Sequence, residues 1–581
     1  MTMKLGIDFG TCFSFVATTL GADVRTTLLD DADSSSGVPT LFMHANADAA
    51  HPDGNYFGRD AFNRRMENPS ACIKEIKKDI RIHPEYIANN ASHRYNLGGR
   101  NYSAEEIVVL VLRYLINVAK TNAKAQNING SDVIDEITIT APVGLNNARG
   151  AMEATALYNE MLVRAAKQAT GITDNSKVHI LGEPVAAAMY NIHKNKVDGK
   201  QTILVYDLGG GTFDAAIVEY DPTKGVGNQF AAVATGGYTD VGGGDWDNCL
   251  KKIVYDNLKL DRKIGSRVDS IFSYTPNNGY MPINTDVHPI FEKQVVTAKI
   301  LLSDPDNEEV SVSFRDRDVA CRTYVGRDEF EKESRPLLEK TMVVVDDVIS
   351  DFERYKGIRN GQGINYIDRI VMVGGASQMP QVKRELERRF PNKTIYLDSP
   401  HLAIAAGAAL NNGTMAIRQR VNHTYGIGTN TTVDDVNFYN AHRNERYIDY
   451  DNNNELTDKY WVQQVGNETR YKRRGVSNII IKGTEIDPRV GYVKASKEFY
   501  PLEDNQTQVA FNVYISESHE EWSDYESPRL FGYTVDVPST YHGRATEFEI
   551  KAEFRITLDG VVVLTTYDPN GREIRHGRYP E

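Results

Sequence analysis

At 581 residues the chain is too long for one ordinary domain, and its length fits about three to five units of roughly 100–200 residues. It is 41% hydrophobic and 25% charged, a globular balance, and no run of about 18 apolar residues offers a membrane span. The net charge of −13 removes any general electrostatic case for nucleic acid or an anionic membrane, and four scattered cysteines (Cys12, Cys72, Cys249, Cys321) without a Cys-x-x-Cys pair argue against a disulfide framework or a zinc site.

The chain opens on MTMKLGIDFG, which runs straight into a strand pattern without the layout of a signal peptide, so a cytoplasmic location is expected. Residues 5–18, LGIDFGTCFSFVAT, read as an apolar strand, an Asp, a glycine turn, a Thr and a second apolar strand. Residues 204–218, LVYDLGGGTFDAAIV, repeat that order with three glycines in the turn. Glycine there permits positive φ and removes the Cβ that would hold a ligand off the backbone. The exposed N–H groups then converge into an anion-binding concavity. A carboxylate entering such a turn repels phosphate but suits the water shell of Mg²⁺. Two hairpins with Asp8 and Asp207 facing each other would enclose a Mg-polyphosphate. The plainer alternative is a pair of tight hairpins in an α/β core, but a spacing of roughly 200 residues points to two related halves around one cleft.

Further along, RIVMVGGASQMPQVKRELERRF (369–390) reads as a buried strand, a Gly374-Gly375 turn and an amphipathic helix, the order of a nucleotide-binding strand–turn–helix. NNGTMAIRQRVNHT, after Leu410, is polar and lacks apolar periodicity, as a linker would. From about 424 the pattern becomes short alternating strands with turn residues between them, including a hairpin turn at Asp559-Gly560. That texture predicts a β-sandwich. Residues 433–477, rich in Asn, Asp and Tyr, carry no pattern that assigns an element.

Together these stretches resemble the seventy-kilodalton heat-shock chaperones of DnaK type, within the actin and sugar-kinase ATPase superfamily. GIDFGT and DLGGGTFD resemble the two phosphate motifs and VGGASQMPQV the adenosine motif. LGEPVAAAMYN (181–191) and SPHLAIAAGAALN (399–411) resemble the two connecting helices, and GGYTDVGGGDWDNCL (236–250) the segment after the second phosphate loop. FYPLEDNQTQVAFNVYI (499–515) is similar to part of the peptide-binding β-domain. The resemblance implies an α/β actin-like ATPase of two duplicated RNase H-like lobes over residues 1–413, a linker over 414–423, and an all-β sandwich over 424–581. A mixed subdomain inserted at about 240–325 belongs to the second lobe.

The resemblance also implies slow ATP hydrolysis with ATP/ADP and Mg²⁺ bound in the cleft. Gly10, Thr11 and Cys12 would cradle the outer phosphates from one side, and Gly209, Gly210, Gly211 and Thr212 from the other. Asp8 and Asp207 would hold hydrated Mg²⁺ through water, with Asp214 as a further acceptor. Glu183 would orient or deprotonate the attacking water, and Lys77, with Lys74 as the alternative, would offset γ-phosphate charge. Lys299, Ser303, Gly374 and Gly375 would serve the nucleoside.

Departures from the family pattern accompany these matches. Cys12 replaces a threonine, Val296 a ribose-binding glutamate, and Ile300 and Gln378 two arginines beside the base, so weaker nucleotide binding is expected. The linker AIRQRV (416–421) lacks the family's leucines and acid, which places coupling between the domains in question. Pro142 and Arg149 stand one residue out of step with the family's relay pair. No amphipathic helical segment follows the β-domain, so the helical lid is expected to be missing. Implied partners are unfolded or extended peptides, a J-domain co-chaperone and a nucleotide exchange factor, with no nucleic acid and no membrane. The alternatives are a kinase on the same ATPase fold, a filament-forming actin relative, and a nucleotide-binding scaffold without coupled turnover.

Overall fold

Alternating apolar residues at both ends of the glycine turns form antiparallel hairpins. In the computed structural model β1 (Met3–Asp8) pairs with β2 (Phe13–Leu20), and β2 with β3 (Asp23–Thr27). On its other side β1 runs parallel to β4 (Ile134–Ala141), which runs parallel to β5 (Val178–Gly182). The order β3-β2-β1-β4-β5 then recurs. β6 (Gln201–Leu208), β7 (Phe213–Tyr220) and β8 (Phe230–Tyr238) are antiparallel neighbours, while β9 (Arg369–Val373) and β10 (Thr394–Tyr396) continue the sheet in parallel. The second order, β8-β7-β6-β9-β10, matches the five-strand path of the first, which also carries the short strand Val38–Pro39 on β2. Central strands buried on both faces read as near-continuous apolar runs, as in ILVYDL, where Ile203, Leu204, Val205, Tyr206 and Leu208 are fully buried.

The structure describes all residues except 1–2, 21–22, 28–36, 66, 84, 89–92, 126–132, 143–148, 225–228, 239–240, 398, 412–418, 422, 450–454, 466–467, 487–491, 503–504, 517, 526–528, 542–546, 558–560 and 580–581. The expected turn at Asp559-Gly560, residues 414–418 and 422 of the linker, and Asp504 of the DNQTQV stretch therefore lie outside the described residues. So does the loop between Pro142 and Arg149.

Each fifth strand feeds a short alanine-rich helix: β5 leads to α1 (Glu183–Lys194) and β10 to α2 (Ala403–Leu410). α2 packs back on the first sheet, where Phe15 and Ala17 cluster with Ala405, Ala406 and Ala409. Arg369 of β9 donates to Asn191 Oδ1 of α1 at 3.2 Å, so each helix reaches the other lobe. The two helices cross with their backbones in contact. A Cβ on Gly407 would lie 1.8 Å from the Ala186 carbonyl oxygen, and one on Gly6 of β1 would lie 2.2 Å from the Ala409 nitrogen. Gly407→Ala gains up to about 1 kcal/mol of helix propensity but overpacks a backbone crossing, which costs about 3 kcal/mol. Net destabilisation is the expected outcome, read as a lower urea midpoint for the nucleotide-free protein.

By contact density the chain divides into two units, residues 1–146 with 158–416, and 417–581 with 147–157. Within the second unit one sheet runs, in order, Tyr460–Val465, Glu468–Ile480, Thr424–Thr432, Gln508–Ser516 and Phe531–Asp536, with Trp522–Ser523 also on the second of these. The other sheet orders Tyr492–Phe499, Ile550–Thr557, Val562–Tyr567 and Glu573–Tyr579. Their inward residues, among them Ile427, Phe511, Val513, Ile550, Phe554 and Leu564, form one core between two antiparallel layers. Two features depart from the sequence reading. Gln419–Arg420, within the expected linker, form a short strand on Glu485–Ile486. The unassigned stretch 433–477 forms a helix (Val436–His442), a ribbon (Arg446–Asp449 with Glu455–Asp458) and the edge of the first sheet.

Candidate active site

The glycine hairpins of the two lobes meet tip to tip. A Cβ on Gly210 would lie 2.6 Å from Cys12 Sγ, and one on Gly211 would lie 2.9 Å from Thr11 Cγ2. A side chain at Gly210 or Gly211 would push into Cys12 or Thr11, whereas one at Gly209 would meet Thr212 only at ordinary contact distance, 3.5 Å. The loop is braced from behind: Gly243 N–H donates to the Gly209 carbonyl at 2.9 Å, and Gly244 N–H to Gly210 at 2.8 Å. Gly374 holds φ at +82°, where any Cβ would meet the Leu208 carbonyl oxygen at 2.3 Å and Asp207 Oδ1 at 2.7 Å. Ser377 fastens the same corner, donating to the Val373 carbonyl and accepting from Leu208 N–H at 3.2 Å.

Four acids and one lysine converge below the hairpins. Lys77, on a short helix (Ile76–Ile82), donates to Glu183 Oε1 at 2.7 Å, and both side chains are almost wholly buried. Asp207 and Asp214 stand opposite each other in the β6/β7 register. Asp8 accepts from Thr140 Oγ1 at 3.4 Å. Burial, and then the Glu183 carboxylate, push Asp8 up to about 7, against the pull of Lys77 and Thr140. Asp207 is driven well above the ordinary carboxyl range by burial and then by Glu183, Asp214 and Asp8. Burial alone would discharge Lys77, but Glu183, Tyr158 and Asp8 outweigh it and hold its pKa above the lysine norm. The thiol of Cys12 goes up to about 12 through burial and then Glu75, so it stays protonated.

The Asp8 shift has a definite sign. Its pKa rises from 3.8 to about 7 on folding, so the stability it contributes is complete below pH 3.8 and disappears as pH rises through 7. In nucleotide-free protein, wild-type stability relative to Asp8→Asn is expected to fall across that window, by up to about 1.4 kcal/mol per pH unit. Urea titrations of both proteins at several pH values check this, and added MgATP should flatten the slope.

The structure separates the two candidate lysines. Lys74 lies outside the cluster, half exposed and paired with Glu292 at 2.9 Å. Lys299 and Ser303 share a face of the helix His288–Ser303, but both are engaged. Lys299 Nζ lies 2.8 Å from both Asp247 Oδ1 and the Gly243 carbonyl, and Ser303 Oγ donates to the Lys299 carbonyl at 3.0 Å. Val296 and Ile300 are exposed on that helix. Gln378 Nε2 donates to His401 Nε2 at 2.8 Å, and the His401 ring stacks on Phe15. Thr140, Asp247, Ser377 and His401 escaped the sequence reading. For Thr140 there was a signal, since it lies near the end of an apolar strand just before Pro142.

Two lobes of identical strand order, joined through crossing helices and facing each other with glycine hairpins and buried carboxylates, define the actin-like class of nucleotide-binding folds. The model of the Hsp70 protein family matches residues 4–425, and the chain belongs to that family. It is similar to the chaperone protein DnaK of Psychrobacter cryohalolentis, 25% identical over 98% of this chain and 76% of the relative. It is also similar to DnaK of Halobacterium salinarum (28% identity, 97% of this chain, 73% of the relative). DnaK of Thermus thermophilus is 29% identical over 71% of this chain and 61% of the relative. The chain is thus a DnaK-like chaperone whose actin-like ATPase lobes precede a β-sandwich. No helix among the described residues is long and apolar enough to cross a membrane.

Proposed function

We propose that the chain is a cytoplasmic ATPase chaperone, with residues 1–413 as the nucleotide-binding domain, 414–423 as the linker and 424–581 as the domain that takes extended apolar peptide. The observation that carries this reading is the buried Lys77–Glu183 pair beside Asp8 and Asp207 between two glycine hairpins. Phosphoryl transfer to water needs positioned donors and compensating charge more than covalent chemistry. Backbone N–H groups of residues 10–12 and 209–212 bind the phosphates from two sides. Lys77, held charged, offsets γ-phosphate charge and fixes the attacking water. Glu183, steered by Lys77, accepts that water's proton or orients it.

The acids fit a hydrated Mg²⁺. All are oxygen donors, Asp8 and Asp207 have raised pKa values that a cation would lower, and no three of the described His, Cys, Asp or Glu side chains are placed to ligate an ion directly. Mg²⁺ would supply neutralisation of phosphate charge, with Asp8, Asp207 and Asp214 accepting from its waters. Partners in this reading are unfolded peptides, a J-domain co-chaperone and an exchange factor.

Single-turnover ATP hydrolysis with and without an unfolded peptide tests the proposal. Mg²⁺-dependent turnover that peptide accelerates is expected, and no turnover at all would leave a nucleotide-binding scaffold. The nucleoside side favours that second reading, because Lys299 is tied to Asp247 and Ser303 to its own helix. The same features predict weak choice of base. Val296, Ile300 and Gln378 offer no guanidinium to stack on the ring, so calorimetric titration is expected to give ATP and GTP affinities within about 100-fold, or about 2.7 kcal/mol.

A further inference from the structure

Lys77 reaches the acids from a helix of only seven residues, Ile76–Ile82. A helix this short is held by what it packs on rather than by its own hydrogen bonds. Ile76 and Ile80 are buried one turn apart, and Lys77 is buried beside them. Each end of the helix carries a further constraint. At the entry, Glu75 holds φ at +56° and ψ at +30°, the left-handed conformation, and its side chain makes no capping hydrogen bond. A residue with a Cβ adopts that conformation at a cost, which asparagine bears easily and β-branched residues bear worst. The reversal lets Lys74 and Glu75 alone join the strand Cys72–Ile73 to the helix, with Ile73 and Ile76 both buried. It also parts the lysines: Lys74, before it, pairs with Glu292, and Lys77, after it, turns to Glu183. Strain of this kind collects at functional sites, where the surrounding structure holds it in place.

Further along, Asp79 Oδ2 accepts from the Tyr95 hydroxyl at 2.7 Å. The Asp79 N–H donates to the Glu75 carbonyl at 3.0 Å and closes the first turn. Tyr95 is itself wedged. Its ring meets His93 and Tyr86 edge-on, with centres 5.1 and 6.1 Å away. Tyr86 in turn stacks on His93 and on His83, the residue that ends the helix. A strained joint at one end and a tethered carboxylate one turn on thus fix a helix too short to fix itself.

We propose that Glu75 and Tyr95 are positioning residues for Lys77. The left-handed joint sets the direction in which the helix leaves the strand, and the Tyr95–Asp79 bond holds its far turn, so that Lys77 Nζ stays on Glu183. What this does for turnover rests on the reading of Lys77 as the lysine that faces the γ-phosphate. What it does for the Lys77–Glu183 pair does not.

Three variants of the full chain separate backbone from charge. Glu75→Asn loses the carboxylate but tolerates the left-handed joint, Glu75→Val loses both, and Tyr95→Phe loses only a hydroxyl, which keeps the test open should Glu75→Val not fold. Urea unfolding gives the non-additivity between Lys77→Met and Glu183→Gln in each background. It is expected to keep its wild-type size with Glu75→Asn and to lose about half or more with Glu75→Val and Tyr95→Phe. In single-turnover hydrolysis those two should slow the rate by about tenfold, and Glu75→Asn by less than about twofold. Affinity for MgADP, which has no γ-phosphate, should stay within about twofold for all three, a split that a general loss of structure would not give. Undiminished coupling in Tyr95→Phe or in a folded Glu75→Val would overturn the proposal. So would a Glu75→Asn variant as slow as Glu75→Val, which would make the charge the active feature. Coupling that follows this series in a protein without turnover would uphold the positioning and overturn the catalytic reading of the cleft.

Discussion

Asp207→Asn is expected to move stability and activity in opposite directions. The carboxylate is 5% exposed and stands opposite Asp214, with Glu183 and Asp8 also acting on it. Asparagine keeps the shape and removes a buried charge that three other acids oppose. Because the folded-state pKa is raised, ionisation of Asp207 subtracts stability as pH rises through that value. The variant should thus be more stable than wild type in nucleotide-free protein at neutral or higher pH, by about 1–2 kcal/mol. Turnover should fall by about 10²–10³-fold, the usual loss when one placed charge-stabilising group is removed. Urea unfolding at pH 5 and pH 8 with single-turnover hydrolysis checks both halves. A variant that hydrolyses ATP at the wild-type rate would show that the cleft does no chemistry through this acid.

Lys77→Ala should lose on both counts. Lys77 and Glu183 are a close buried pair, and deleting the cation leaves Glu183 in a low-dielectric site beside Asp8 and Asp207. Breaking such a pair from one side costs about 3–5 kcal/mol, and hydrolysis should drop by about 10²–10³-fold with the charge gone. The double variant Lys77→Met/Glu183→Gln separates the two effects. It removes both charges at similar volume, so most of the stability should return while turnover stays at least as low as in Lys77→Ala. Non-additivity in the unfolding free energies measures the pair directly. If Lys77→Ala is as stable as wild type, the pair is not formed in solution.

The two opposite outcomes come from one arrangement. The cleft crowds acids together, and in nucleotide-free protein that crowding works against the fold. Lys77 is the charge that limits it.

Much of this arrangement could be read in the chain itself. A glycine turn between alternating apolar strands is a signal carried by about ten residues, and it was legible at both hairpins because strand period is a local property. The positive φ expected there is absent: Gly10, Gly209, Gly210 and Gly211 all keep negative or extended φ, and Gly10, Gly210 and Gly211 serve by lacking a Cβ. The duplication was legible for the same reason, and the matching strand orders extend it from two hairpins to two whole sheets. Other features depended on distance through space. Lys74 and Lys77 sit three residues apart in EIKKDI, and nothing local says which one turns inward; packing buried Lys77 against Glu183, 106 residues away, and left Lys74 to Glu292 across the cleft. Thr140 reaches Asp8 only because β4 lies parallel to β1 in one register. Residues 433–477 have too little periodicity to announce an element, and they took shape as a helix, a ribbon and an edge strand on the sandwich. The short strand at Gln419–Arg420, within the expected linker, was not legible because a two-residue strand exists only through its partner, Glu485–Ile486. Strand period and repeated motifs were thus determined by the sequence alone, whereas which of Lys74 and Lys77 is buried, and the elements within 419–420 and 433–477, were decided by register and packing between distant segments.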